Sequence, residues 1–190
     1  MSPYLPWDKS WQTQIAYLPW VQPEIRGMEN SPVLPAYPIF LDSLRHGSGG
    51  YGFFASVASA MVFLLGHEPE APINPLYCAW LKVFNHELPR QLLLEGTEMA
   101  SRYRLTQAIW MFQASLLLEP ESYETHYNLA LAFNNLATKL TREEKFLEAS
   151  DCYTQAQQYF QNAAQLENAD FGERTYRPDE GYDPGLYRQW

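Results

Sequence analysis

At 190 residues the chain can bury one core with arms beyond it, and it is too short for two full enzyme domains. It is 46% apolar, 15% aromatic and 18% charged, which excludes wholesale disorder and leaves much aromatic surface to bury. A net charge of −9 without any block of Lys and Arg excludes an electrostatic footprint for nucleic acid or anionic lipid.

The chain opens MSPYLPWDKSWQTQIAYLPW, with YLPW at Tyr4–Trp7 and again at Tyr17–Trp20. Seven of the 14 prolines precede Phe40, a density that forbids a long helix or a central strand, so residues 1–45 read as an extended arm. One short helical piece is expected over Asp8–Leu18, with Trp11, Ile15 and Leu18 on one face and Asp8 or Ser10 as its cap. Residues 46–87 read as a Gly-rich hinge, HGSGGYG, followed by two short helices. The first runs Phe53–Gly66, with Gly66 as its stop, and the second runs Asn74–Asn85, with Asn74 as cap and Pro75 in the first turn. From Leu88 the prolines thin out and apolar residues take helical spacing. Four helices are expected, over Pro89–Arg102, Leu105–Glu119, Tyr123–Leu140 and Arg142–Glu167. Ser122 caps the third, and Thr141 with Glu144 forms a capping box for the fourth. Residues 169–190 return to Pro, Gly and aromatics as a tail ending at Trp190.

Cys78 and Cys152 lie one in each half, with no C-x-x-C and no metal-ligand spacing to histidine, and read as buried free thiols in a reducing compartment. The first twenty residues lack the basic start and apolar run of a secretory leader. The longest apolar run, Phe53–Leu65, has 13 residues against the ~20 that span a bilayer. A cytoplasmic chain with no transmembrane segment is expected.

In RLTQAIWMFQASLLLEP, Ala108 is followed by Phe112, Ser115 and Pro120, with Gly96 twelve residues before Ala108. This spacing resembles a tetratricopeptide repeat, whose second helix carries a small residue, an aromatic and another small residue before a closing proline. In the next unit Leu129, Ala130 and Phe133 stand where the family has Leu, a small residue and an aromatic. A regular array would put the next small residue at Arg142. The chain offers Ala149 or Ala156 instead, later by one or two heptads, so this unit has lengthened helices whose inward stripe is Phe146, Ala149, Tyr153, Ala156, Phe160 and Ala163. The resemblance covers residues 88–168 and implies an all-α fold of antiparallel hairpins, flanked by extended Pro- and aromatic-rich arms.

Few residues suggest chemistry. Gly47, Gly49 and Gly52 fit G-x-G-x-x-G, and YPIFLDSL ahead of them passes for a strand, but a dinucleotide site needs a βαβ sheet and a distal acid, and the stretch reads as a linker. His46, His67, His86 and His126 are scattered, Glu68 and Glu70 fall in a Pro-broken turn, and there is no hydrolase or phosphate-loop motif. No enzyme, metal or cofactor is expected. The resemblance implies a binding face on the first helix of each pair. There Asn128 stands where the family often has an Asn that bonds a peptide backbone, with Asn134, Asn135 and Lys139 further along; an intra-helix bond is the alternative. Leu93 and Thr97 replace the basic residues of the family's carboxylate clamp, so no such clamp is expected.

The expectation is a non-catalytic scaffold or adaptor that binds protein partners or a larger complex, with Trp7, Trp20 and Trp190 as aromatic anchors alongside Asn128, Asn135 and Lys139. At least one YLPW copy is expected to pack on the chain's own helices. The alternatives are a structural subunit of a multiprotein complex and, behind it, a nucleotide-binding subunit using residues 47–52. Self-association is left open.

Overall fold

The computed structural model describes residues 15–19, 32–40 and 51–175. Ile15–Pro19 (β1) and Ala36–Phe40 (β2) form an antiparallel pair with Ile15 opposite Phe40 and Pro19 opposite Ala36. The described residues are therefore mostly helical, which broadly fits the all-α expectation, with a small two-stranded sheet added, and Ile15–Leu18 is strand where a helix was expected. The physical reason is local. Ile15, Tyr17, Tyr37 and Ile39 are β-formers, and Pro19 and Pro38 are tolerated because both strands of a two-stranded sheet are edges. Ile15, Leu34, Tyr37 and Ile39 are buried, and Leu18 packs against the same cluster. Tyr17 lies close enough to Tyr77 to contribute, after burial and alongside Glu68, to pushing the Tyr77 hydroxyl up to about 12. Within the second YLPW copy, Leu18 thus packs on the chain's own core, while Tyr17 is largely exposed near Tyr77. The first copy, Trp20 and Trp190 lie outside the described residues.

Six helices follow among the described residues: α1 (Tyr51–His67), α2 (Asn74–Phe84), α3 (Leu88–Ser101), α4 (Leu105–Leu118), α5 (Tyr123–Arg142) and α6 (Phe146–Thr175). Helix α1 is apolar on nearly every side because β2 covers one flank and α4 another. Pro75 and Pro89 occupy the first turns of α2 and α3, where a missing N–H costs nothing. Asn74 is not the cap of α2: Ile73 is, without a side-chain bond. The buried Asn74 amide donates to the Glu68 carbonyl at 2.7 Å, tying α2 to the preceding turn. Ser122 does cap α5, accepting from the Thr125 N–H at 3.3 Å.

Helix α4 carries the packing. Ala114 and Leu118 join a core with Val57, Met61 and Leu65 of α1, Trp80 and Leu81 of α2, and Ile39 of β2. Leu105, Ala108, Ile109 and Phe112 join a second core with Leu129, Phe133, Leu136 and Leu140 of α5 and Ala149, Cys152 and Ala156 of α6. Two glycines allow the close approach. A Cβ on Gly66 of α1 would lie 2.7 Å from the Trp110 carbonyl oxygen, and one on Gly96 of α3 would lie 2.5 Å from Cε1 of Phe112. Gly66 therefore does not stop α1, which continues to His67; it is the point where α1 touches α4. The Ser115 hydroxyl reaches back to the Pro89 carbonyl at 2.9 Å, fastening the start of α3 to α4. The two free thiols are buried one in each core, Cys78 in the first and Cys152 in the second; burial raises both, Cys152 to about 11 with help from Asp151 and Glu148.

The expected capping box at Thr141 and Glu144 does not form. The Thr141 hydroxyl donates to the Ala137 carbonyl inside α5, and Glu144 sits at φ 62°. Lys145 N–H bonds to Leu140 O at 2.9 Å and Glu144 N–H to Thr141 O at 3.1 Å, which is a Schellman closure satisfying the last carbonyls of α5. Helix α3 ends the same way. Tyr103 has φ 58°, with Arg104 N–H to Met99 O at 2.9 Å and Tyr103 N–H to Ala100 O at 3.0 Å. The stripe of α6 is also shifted: Ala149, Ala156 and Ala163 are buried with Cys152, and Tyr159 stacks on Phe133 at 5.8 Å, while Phe146 and Tyr153 are exposed. The alanines let α6 lie close on α5, and the expected aromatics fall beside that seam.

Two predictions follow from the packing and the turns. Gly96→Ala and Gly66→Ala each gain helix propensity of about 1 kcal/mol. The added Cβ meets a ring or a backbone carbonyl, so each variant is expected to lose about 1–3 kcal/mol net in urea titration; an unchanged or raised midpoint would refute the close approach. Tyr103→Gly and Glu144→Gly relieve left-handed strain at exposed positions and are expected to stabilise by about 0.5–1 kcal/mol each, where ordinary helix-to-glycine changes destabilise.

Candidate functional site

Helices α1 and α3 both lie on α4 without packing extensively on each other, so a cleft runs between them over α4. The side chains explain why it stays open. Helix α1 presents Ala55, Ala58, Ser59 and Val62, small or short residues, toward Leu88, Leu92 and Glu95 of α3. Trp110 and Met111 of α4 line it, as do Phe40 of β2 and Phe84 of α2, and the cavity volume is about 410 Å³.

One wall is a continuous aromatic run. Phe40 meets Phe63 edge-on at 5.5 Å, Phe63 stacks on the His67 ring at 3.8 Å, and His67 lies against Trp110 at 3.9 Å. The Nδ1–H of His67 donates to the Phe63 carbonyl at 2.8 Å, which assigns the tautomer. Burial holds this imidazole below its ordinary 6.5, and the carbonyl acceptor offsets that only in part. The Ser59 hydroxyl donates to the Ala55 carbonyl at 2.9 Å. Glu95, an exposed residue, brings a carboxyl group to a lining that includes neither Lys nor Arg. The lining is mostly apolar, with Ser59, His67 and Glu95 as its polar members, and such a cleft is suited to holding a molecule.

The site residues expected from sequence fall elsewhere. Asn128, Asn135 and Lys139 stand on α5; the Asn128 amide donates to the Glu124 carbonyl at 2.8 Å, and Lys139 lies 3.9 Å from Glu143. None of the three lines the cleft. Trp7, Trp20, Trp190, Gly47 and Gly49 lie outside the described residues; Gly52 is already inside α1, and β2 pairs antiparallel, not within a βαβ unit. Beside α5 and α6, Tyr123 stacks on Tyr127 at 6.0 Å and Tyr127 meets Phe160 at 5.7 Å. Leu131, Phe146, Leu147 and Tyr153 are exposed on the same pair of helices. Deep in that packing, Gln113 is 3% exposed and its amide has no hydrogen-bond partner of ordinary length, although it faces the Tyr159 hydroxyl closely enough to oppose the rise that burial causes there. His126 closes this cluster with Nε2 at 2.9 Å from the Pro120 carbonyl. Among the described residues no three or more His, Cys, Asp or Glu gather to hold a metal, and no helix is long and apolar enough to cross a membrane.

The sequence signal for the cleft was faint. His67 was one of four scattered histidines, and its ring partners Phe63 and Trp110 come from different helices.

Because the native His67 binds a proton less readily than the unfolded chain, the unfolded state takes up more protons as pH falls through 6.5. Stability from this group is complete above that pH and lost below it, down through the lowered folded pKa. His67→Phe keeps a ring in the stack, and its melting temperature is expected to fall less than that of the parent between pH 7.5 and pH 5; equal slopes would exclude His67 as a source of acid sensitivity.

No protein-family model, curated protein or solved structure matches this chain.

Proposed function

We propose that the chain is a non-catalytic interaction protein: a small tetratricopeptide-like helical body that engages protein partners or a larger complex through exposed apolar side chains. The observation that carries this reading is the apolar surface on the last helix pair. Tyr127 and Leu131 on α5 and Phe146 and Tyr153 on α6 are exposed, and Leu147 of α6 is 82% exposed; Tyr127 also touches the rings of Tyr123 and Phe160. Large apolar groups left exposed on one pair of helices are what a partner would cover.

Other features agree with the repeat resemblance. Helices α3 and α4, and then α5 and α6, are joined by the same Schellman turn, and the two left-handed residues, Tyr103 and Glu144, are 41 positions apart. That is a 34-residue repeat plus one heptad, the lengthening read from Ala108 and Ala149. Gly96 against Phe112 is the small-against-aromatic contact such hairpins need. In this reading Asn128, Asn135 and Lys139 supply polar contacts from α5, and Trp7, Trp20 and Trp190 supply anchors from the arms. A structural subunit of a multiprotein complex is the alternative for the same surface.

The test is quantitative copurification from the native source with the parent and with Phe146→Ser/Leu147→Ser/Tyr153→Ser, all at exposed positions. A specific partner is expected to be retained at least about tenfold less by the variant, with the melting temperature unchanged. Equal recovery by a folded variant overturns the reading. A partner that never exchanges in pulse-chase points to the structural-subunit alternative.

A further inference from the structure

We infer that the cleft between α1 and α3 binds a small organic cation, a molecule with an apolar body and one protonated amine. The site is separate from the exposed face of α5 and α6, and the inference stands independently of the interaction reading. Three observations converge. The volume of about 410 Å³ falls in the range of small-molecule pockets, and the lining is dominated by apolar side chains. The rings of Phe40, Phe63, Phe84 and Trp110 come to it from four different elements, and the electron-rich faces of aromatic rings attract cations while doing little for anions. Glu95 adds a carboxylate on the solvent side, with neither Lys nor Arg among the lining residues to neutralise it, in a chain whose net charge is −9.

The polar groups around the cleft favour the same choice. The Ser59 hydroxyl already donates to Ala55 O, and the Nδ1–H of His67 donates to Phe63 O. None of the lining residues is a Lys or Arg that would meet the charge of a carboxylate or phosphate. An amine finds a counter-charge at Glu95 while its apolar body lies along Ala55, Ala58, Val62, Leu92 and Met111. The α1 wall is low because Ala55 and Ala58 stand on it, so a flat ring or short chain has room without displacing α3.

The experiment uses three probes with one apolar body: 4-phenylbutylamine, 4-phenylbutanol and 4-phenylbutanoate. Each is titrated into the full chain by calorimetry, with methyl NMR shifts at Met111 and Leu92 locating the binding. The amine is expected to bind about tenfold more tightly than the alcohol, and the carboxylate most weakly. In Glu95→Gln, an exposed position, the advantage of the amine over the alcohol is expected to shrink to the part the rings supply, while the alcohol is unchanged. In Ser59→Phe, which fills the cleft from an exposed position, all three are expected to weaken. Raised salt should narrow the gap between amine and alcohol in the parent but not in Glu95→Gln. The inference is overturned if the carboxylate binds as well as the amine, if none of the probes shifts the cleft methyls, or if a folded Glu95→Gln keeps the amine preference undiminished.

Discussion

Helix α4 can be buried on two sides only because its neighbours present no side chain where they come nearest to it. Gly66 brings α1 onto the Trp110 backbone, and Gly96 brings α3 onto the Phe112 ring. Burying a helix on both flanks removes roughly twice the apolar area of an amphipathic surface helix from water, at ~25 cal/mol per Å². It also requires both faces of that helix to be apolar, and LTQAIWMFQASLLL meets this with Leu105, Ile109 and Phe112 toward α5 and Ala114 and Leu118 toward α1. The sheet, α1 and α2 stand on one side of this shared wall, and α5 and α6 on the other.

The cleft is a by-product of that arrangement. Two helices drawn tightly onto a third at different points along it leave a gap between themselves unless large side chains fill it. Here α1 spends Ala55, Ala58 and Ser59 on that side. The same small residues that leave the gap also let β2 and α2 bring Phe40 and Phe84 to its margins. Binding capacity therefore arises from packing geometry rather than from a local motif.

This explains what could be read in advance. The six helices were legible from apolar spacing and from Pro75, Pro89 and Ser122, because those signals act within a few residues. Of the sheet, YPIFLDSL passed for a strand, but the pairing was not legible, because β1 and β2 pair across a stretch of about twenty residues and the prolines around them mimic an arm. The turn at Glu144 was missed because Thr141 and Glu144 spell a capping box, and the closure of α5 prevailed over it. Gly66 was read as a stop because sequence shows a missing side chain without showing what stands opposite. The cleft residues come from β2, α1, α2, α3 and α4, so only the folded chain assembles them.

The placement of the two cysteines has a consequence of its own. Cys78 belongs to the core on one side of α4 and Cys152 to the core on the other, and burial keeps both thiols protonated and out of reach of modifying reagents. The molecule thus carries a pair of internal clocks. The rate at which each sulfur is alkylated times the opening of its own half, so the two rates report whether the halves breathe together or in turn about the helix they share.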